Sequence, residues 1–210
     1  MTMPQLDLVP TINNTARKAD LLIKVAQQVA ARLKACTEIS RQDLTGLMES
    51  AFGTSDASGA WSMRDAYDAA EVAQVLLQLA ETNDDFASAS RQASLGAIEG
   101  LSYLLPTQTY RSETQIALQQ FSTPAPLAFI AACAARMGKG DTALEPSAGT
   151  GLLAVHAVLS GANVLLNELD DQRAALLARV FQRLSLTRHD AAQIHDHLRE
   201  PASVVLMNPP

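Results

Sequence analysis

The chain has 210 residues, 48% of them hydrophobic and 18% charged, with a formal net charge of −6 at neutral pH. That is the composition of a globular protein of one domain or one and a half, at roughly 150 residues per domain, and it excludes disordered, collagen-like and coiled-coil chains. The acidic balance argues against binding nucleic acid by bulk electrostatics, and two distant cysteines, Cys36 and Cys133, form neither a disulfide framework nor a metal motif, which fits a reduced, cytoplasmic chain.

In chain order, MTMPQLDLVP is neither basic nor apolar like a signal peptide, and no later stretch is long and apolar enough to cross a membrane. Leu21, Val25, Val29 and Leu33 recur every four residues, which predicts an amphipathic helix from about Thr15 to Lys34. Ser40 followed by Asp43 reads as a helix cap with an acidic first turn, opening a short helix through Leu44, Leu47 and Met48. FGTSDASG (52–59) is a loop by composition. Ser62 caps a helix carrying Ala69, Val72, Val75, Leu76 and Leu79, and Asn83 or Asp84 starts another that Pro106 stops. Arg17, Lys18, Lys24, Arg32 and Lys34 read as a solvated helix face, because residues 1–110 sum to −5 against −1 for residues 111–210. Trp61 and Tyr67 read as packing residues and not as base-stacking platforms.

The second part alternates glycine-bounded apolar runs with helical patterns. Thr142 to Glu145 (TALE) is a short strand that runs into Pro146-Ser147-Ala148-Gly149-Thr150-Gly151, then into the apolar Leu152 to Val155. A strand, a glycine turn and a helix in that order let a ligand approach the backbone at Gly149 and Gly151, beside the free N–H groups of a helix start. By itself, a G-x-G also serves as plain turn chemistry. The next strand, Asn163 to Asn167, ends in Glu168, which lies 17 residues beyond Gly151 and suits a carboxylate accepting from both ribose hydroxyls. Asp170 and Asp171 are assigned to the start of the following helix, Gln172 to Leu184. Ser203 to Met207 is a buried-type strand ending in Asn208-Pro209-Pro210. His195-Asp196-His197 with His189 invites a metal reading. Histidines two apart point to different faces of a helix, however, and no zinc-site spacing surrounds them, so no metal site is assigned.

EPSAGTG, NELD and NPP, in that order, resemble the class I S-adenosylmethionine-dependent methyltransferases, and within them the gamma-type N6-adenine DNA methyltransferases. Gln120-Phe121-Ser122-Thr123-Pro124 is similar to the Phe-Thr-Pro motif that precedes the glycine motif there. It opens a helix in which Thr123 can cap, Pro124 or Pro126 sits in the first turn, and Gly138 ends the run. The likeness covers about residues 115–210. A looser likeness is to methylase segments fused ahead of strawberry-notch-type helicases, which implies a helicase domain in the same full-length chain.

The helical periods of the first part and the resemblance of the second together imply an α/β fold in two parts. Residues 1–110 would form a helical segment, and residues 111–210 an S-adenosylmethionine-binding, partial Rossmann-like methyltransferase sheet, truncated after its fourth strand, with strands ordered 3-2-1-4. It implies S-adenosylmethionine as cofactor. Its methionine end would lie over Glu145 and the Ser147–Gly151 turn, Phe121 and Thr123 would close over it, Glu168 would hold the ribose, and Asp190 would accept from the adenine amine or else cap the following helix. Asn208, Pro209 and Pro210 would form the catalytic motif: the Asn208 side-chain oxygen and the Pro209 carbonyl each accept one hydrogen of an exocyclic amine and free its lone pair for the sulfonium methyl. DNA is the implied partner of the full-length protein, with the base flipped out. RNA or protein-glutamine methylation, or a non-catalytic cofactor-binding module of a helicase-like protein, are the alternatives. The family's aromatic residue after the second proline has no counterpart, since the sequence stops at Pro210.

Overall fold

The computed structural model describes residues 8–80, 91–107 and 122–208. Helix α1 runs from Leu8 to Lys34. It begins seven residues before the expected start at Thr15, because the apolar repeat marks where a helix is buried and not where its backbone begins. Pro10 is tolerated in the first turn, where its missing N–H would have no intrahelical partner. Helix α2, Arg41–Phe52, starts as expected at a capping box: Ser40 Oγ accepts from the Asp43 N–H, and the Asp43 carboxylate accepts from the Ser40 N–H. Gly53 at φ 70° ends it. A short 3₁₀ turn, Asp56–Ser58, occupies the loop.

Helix α3, Met63–Ala80, begins with the same reciprocal contact, the Asp65 carboxylate accepting from the Ser62 N–H at 2.7 Å. Helix α4 is Arg91–Tyr103, so its expected start at residue 83 or 84 lies outside the described residues. Leu22, Val25, Val29 and Leu33 of α1 pack with Leu44, Met48, Trp61, Ala69 and Val72 into one core. Trp61 belongs to it as expected, its indole N–H donating to the Thr54 carbonyl at 2.8 Å.

Helix α5, Ala125–Ala135, has Pro124 at its cap position and no side-chain cap, and Arg136 in the left-handed conformation ends it. Thr123 therefore does not cap this helix, and Gly138 does not end it. Proline at the first turn presets the backbone without a side-chain acceptor. The sheet then follows: β1 (Thr142–Glu145), α6 (Ala154–Leu159), β2 (Asn163–Asn167), α7 (Asp171–Val180), β3 (Ser185–Thr187), a 3₁₀ segment (Ala191–His197) and β4 (Val204–Val205). All pairings are parallel and the strand order is β3-β2-β1-β4, the order expected. β4 is shorter than the apolar run from Ser203 to Met207, although Leu206 still donates to the Leu144 carbonyl.

The register pairs Glu145 with Leu166 and Asn167 with Thr187, so the carboxyl ends of β1, β2 and β3 finish along one edge. The helical and α/β parts interlock. Val75 of α3 and Ile98 of α4 belong to the core around the sheet, while Leu176 of α7 belongs to the core of α1–α3. Among the described residues no helix is long and apolar enough to cross a membrane.

Candidate functional site

The carboxyl ends of the strands surround a cavity of about 400 Å³. In open parallel sheets a ligand crevice lies at this edge, where the connections leave on opposite sides of adjacent strands. β1 delivers Glu145 and the turn that follows, β2 delivers Asn167 and Glu168, the stretch after β3 delivers His189 and Asp190, and the stretch after β4 delivers Asn208. Ser122 and Thr123, just before α5, line the same cavity.

Asn167 fixes this edge. Its amide nitrogen donates to the Pro146 carbonyl at 2.9 Å and the His189 carbonyl at 2.8 Å, and its amide oxygen accepts from Thr187 Oγ1 at 2.9 Å and the His189 N–H at 2.8 Å. One buried side chain so ties together the exits of three strands.

The glycine turn has two glycines with different constraints. Gly149 lines the cavity at φ 57°, and a Cβ placed on it would meet nothing nearer than Arg173 Nη1 at 3.9 Å. Gly151 is buried outside the lining at φ 94°, and a Cβ there would lie 2.6 Å from the Phe181 ring and 3.1 Å from Leu177. Expected to allow ligand approach, Gly151 instead gives α7 room to pack on the turn.

Glu168 closes the turn from the side. One of its carboxylate oxygens accepts from the Gly149 N–H at 2.6 Å and the other from the Asp170 N–H at 2.8 Å. A carboxylate accepts about four hydrogen bonds, and these are two of them among the described residues. Burial raises the pKa of Glu168, against the two backbone N–H groups and Arg173. Glu145 is buried at the floor, with Oε2 lacking any hydrogen-bond partner, and burial and then the nearby Glu168 charge push its carboxyl well above the ordinary range. A buried carboxyl with an orphaned oxygen beside a second carboxylate is a receptor for hydrogen-bond donors, and a positive charge brought next to it would favour its ionised form.

Thr123, Glu145, Ser147, Gly149, Glu168, Asp190 and Asn208 are all brought to the cavity. Gly151 is not, and Phe121, Pro209 and Pro210 lie outside the described residues. Asp190 caps the Ala191–His197 segment, Oδ1 accepting from the Ala192 N–H at 3.0 Å, and it also lines the cavity. Asp170 caps α7 as expected, accepting from Gln172 and Arg173 N–H groups. His189 stacks on His197 with ring centroids 3.6 Å apart. Among the described residues no group of three His, Cys, Asp or Glu side chains could hold a metal.

The sequence reading missed a buried set of polar groups behind the turn. Arg173, in the first turn of α7, lines the cavity and donates to Asp68 of α3 from Nη2 at 2.9 Å and from Nε at 3.4 Å. Burial opposes the charge on Arg173, but the carboxylates of Asp68, Glu71 and Glu168 outweigh it and raise its pKa. Asp68 also lies 3.8 Å from Arg64, which bonds Asp170 at 3.0 Å. A signal was present in the sequence: Arg173 sits two residues after Asp171 at a helix start, where a cation opposes the helix dipole and needs another reason to be there. Compared with family models, curated proteins and solved structures, the chain matches none.

Proposed function

We propose that this cavity binds S-adenosylmethionine and that the protein is an S-adenosylmethionine-dependent methyltransferase acting on an exocyclic amino group, adenine N6 in DNA, in the cytoplasm. The sheet then reads as a partial Rossmann-like methyltransferase sheet. The observation that carries the reading is Glu145: a buried carboxylate with an orphaned oxygen, beside Glu168 and an open Gly149, on the floor of a cavity of about 400 Å³. The site asks for a ligand with ammonium or sulfonium charge and a hydroxyl pair, and the volume is within the usual range for cofactor pockets.

Bound there, the cofactor would supply a methyl group activated on sulfonium. The chain's own residues do the rest. Glu145 and the turn hold the amino-acid end, Glu168 takes the ribose hydroxyls, and Asp190 takes the adenine amine. The Asn208 side-chain oxygen accepts an amino hydrogen of the substrate, which orients the nitrogen and frees its lone pair. Full-length protein is tested for radiolabelled methyl transfer to unmethylated duplex DNA containing adenine, with RNA and glutamine peptides as controls. Label on DNA that Asn208→Ala abolishes while calorimetry still detects cofactor binding supports the reading. Label on RNA or peptide alone overturns the substrate, and cofactor binding with no label on any of them leaves a binding module. No cofactor binding at all overturns the whole reading.

A further inference from the structure

Three elements distant in sequence meet at one oxygen atom. Glu71 Oε2, on α3, accepts from Ser122 Oγ at 2.8 Å and from Thr150 Oγ1 at 2.7 Å. Ser122 belongs to the segment that leads into α5 and Thr150 to the glycine turn, and both line the cavity. Glu71 does not line it and is only partly exposed. We infer that Glu71 is a positioning residue of this site: from behind the cavity wall it holds the segment before α5 against the glycine turn, and so sets the spacing between two walls of the pocket.

The inference rests on the cofactor reading for its functional consequence, but the brace itself is a contact within the chain. The glycine turn is also held by Glu168, which accepts from the Gly149 N–H at 2.6 Å, but Glu71 bonds both walls at once. Thr150 lies between Gly149 and Gly151, both at positive φ, in a turn that carries its own conformational freedom. Ser122 precedes a helix that lacks a side-chain cap. The charges around Glu71 are those of Asp68, three residues before it on α3, and of Arg173 on α7. The helical region therefore contributes a part of the pocket that the glycine motif lacks.

A single oxygen accepts both bonds, so the amide oxygen of a glutamine can take its place, whereas an alanine leaves both hydroxyls without their acceptor. Amide hydrogen exchange on the ligand-free protein reads the brace directly. In Glu71→Ala, exchange should speed up at residues 148–151 and 122–125 while the amides of α1 keep wild-type protection, and Glu71→Gln should stay close to wild type. S-adenosylmethionine affinity by calorimetry should fall roughly tenfold or more in Glu71→Ala and far less in Glu71→Gln, the size expected for losing two hydrogen bonds to one acceptor. Should Glu71→Ala fail to fold, Thr150→Val and Ser122→Ala each remove one bond from the opposite end, and each should loosen both segments. Wild-type exchange in Glu71→Ala, faster exchange spread equally over α1, or equal losses in the alanine and glutamine variants would overturn the brace. Absence of cofactor binding in the wild type would instead remove the proposed function, and the exchange result would still decide whether Glu71 holds the two walls.

Discussion

Arg173 and Asp68, 105 residues apart, form a buried two-point contact in which Nη2 lies 2.9 Å from Oδ1 and Nε lies 3.4 Å from Oδ2. Both side chains are almost wholly removed from solvent, at 6% and 4% relative exposure. Taking either partner away strands a charge in the interior, which typically costs about 3–5 kcal/mol. Asp68→Ala and Arg173→Ala should each lower stability by that order in chemical denaturation, and Asp68→Leu with Arg173→Met together should cost less than either single change.

The two glycines of the turn should separate in their effects. Gly149→Val projects a side chain into the cavity and forces a left-handed backbone on a branched residue, a strain of about 1–2 kcal/mol. Calorimetry should find cofactor binding abolished, with the fold kept in circular dichroism. Gly151→Val drives carbon into the Phe181 ring, so its melting temperature should fall much further than that of Gly149→Val.

Glu168→Ala should cost about 1.5–3 kcal/mol in cofactor affinity, the value of hydrogen bonds to a charged group. Asp171 is exposed and, among the described residues, paired with Arg188 at the surface, so Asp171→Ala should cost less than about 1 kcal/mol. Equal losses in titration calorimetry would reduce Glu168 to its contacts with Gly149 and Asp170.

Stability should carry a pH signature of Glu71. Burial, then the Asp68 charge, raise its pKa from the ordinary 4.5 to about 7, against Arg173 and the Thr150 and Ser122 hydroxyls. The folded state therefore holds a proton that the unfolded chain releases near 4.5, and this contribution is full below pH 4.5 and lost as pH rises through about 7. His156 has the opposite slope, since burial lowers its pKa to about 4 and the folded state gains as pH rises toward 6.5. The difference between wild type and Glu71→Gln isolates the carboxyl. It should decline between pH 4.5 and 7 and be flat outside that window, as measured by denaturation at a series of pH values.

Much of the α/β part was legible because its signals are local. TALE and NVLLN are apolar runs bounded by Gly, Asn or Pro, and a parallel strand buried on both faces reads that way. Ser40 with Asp43 announces its helix within four residues. The acidic groups behind the turn were not legible. Asp68 and Glu71 sit on a helix among Ala and Val, where a single sequence offers acidic residues no reading but a solvated face. Their partners Arg173, Thr150 and Ser122 lie 51 to 105 positions away, and no local rule measures that separation. Gly151 is a related case, because motif spacing does not say which of two glycines faces a ligand and which faces Phe181.

The interlocking of α3 with the glycine turn bears on how this protein can be dissected. A polypeptide begun at residue 111 would keep every residue of the turn and all four strands. It would also carry the Arg173 guanidinium, the Thr150 hydroxyl and the apolar side of Leu176 with the groups that cover them gone. Cutting at the change in composition should therefore expose an interior. The motif-bearing half should be recovered soluble only when the helices are supplied with it, in the same chain or as a separately expressed partner.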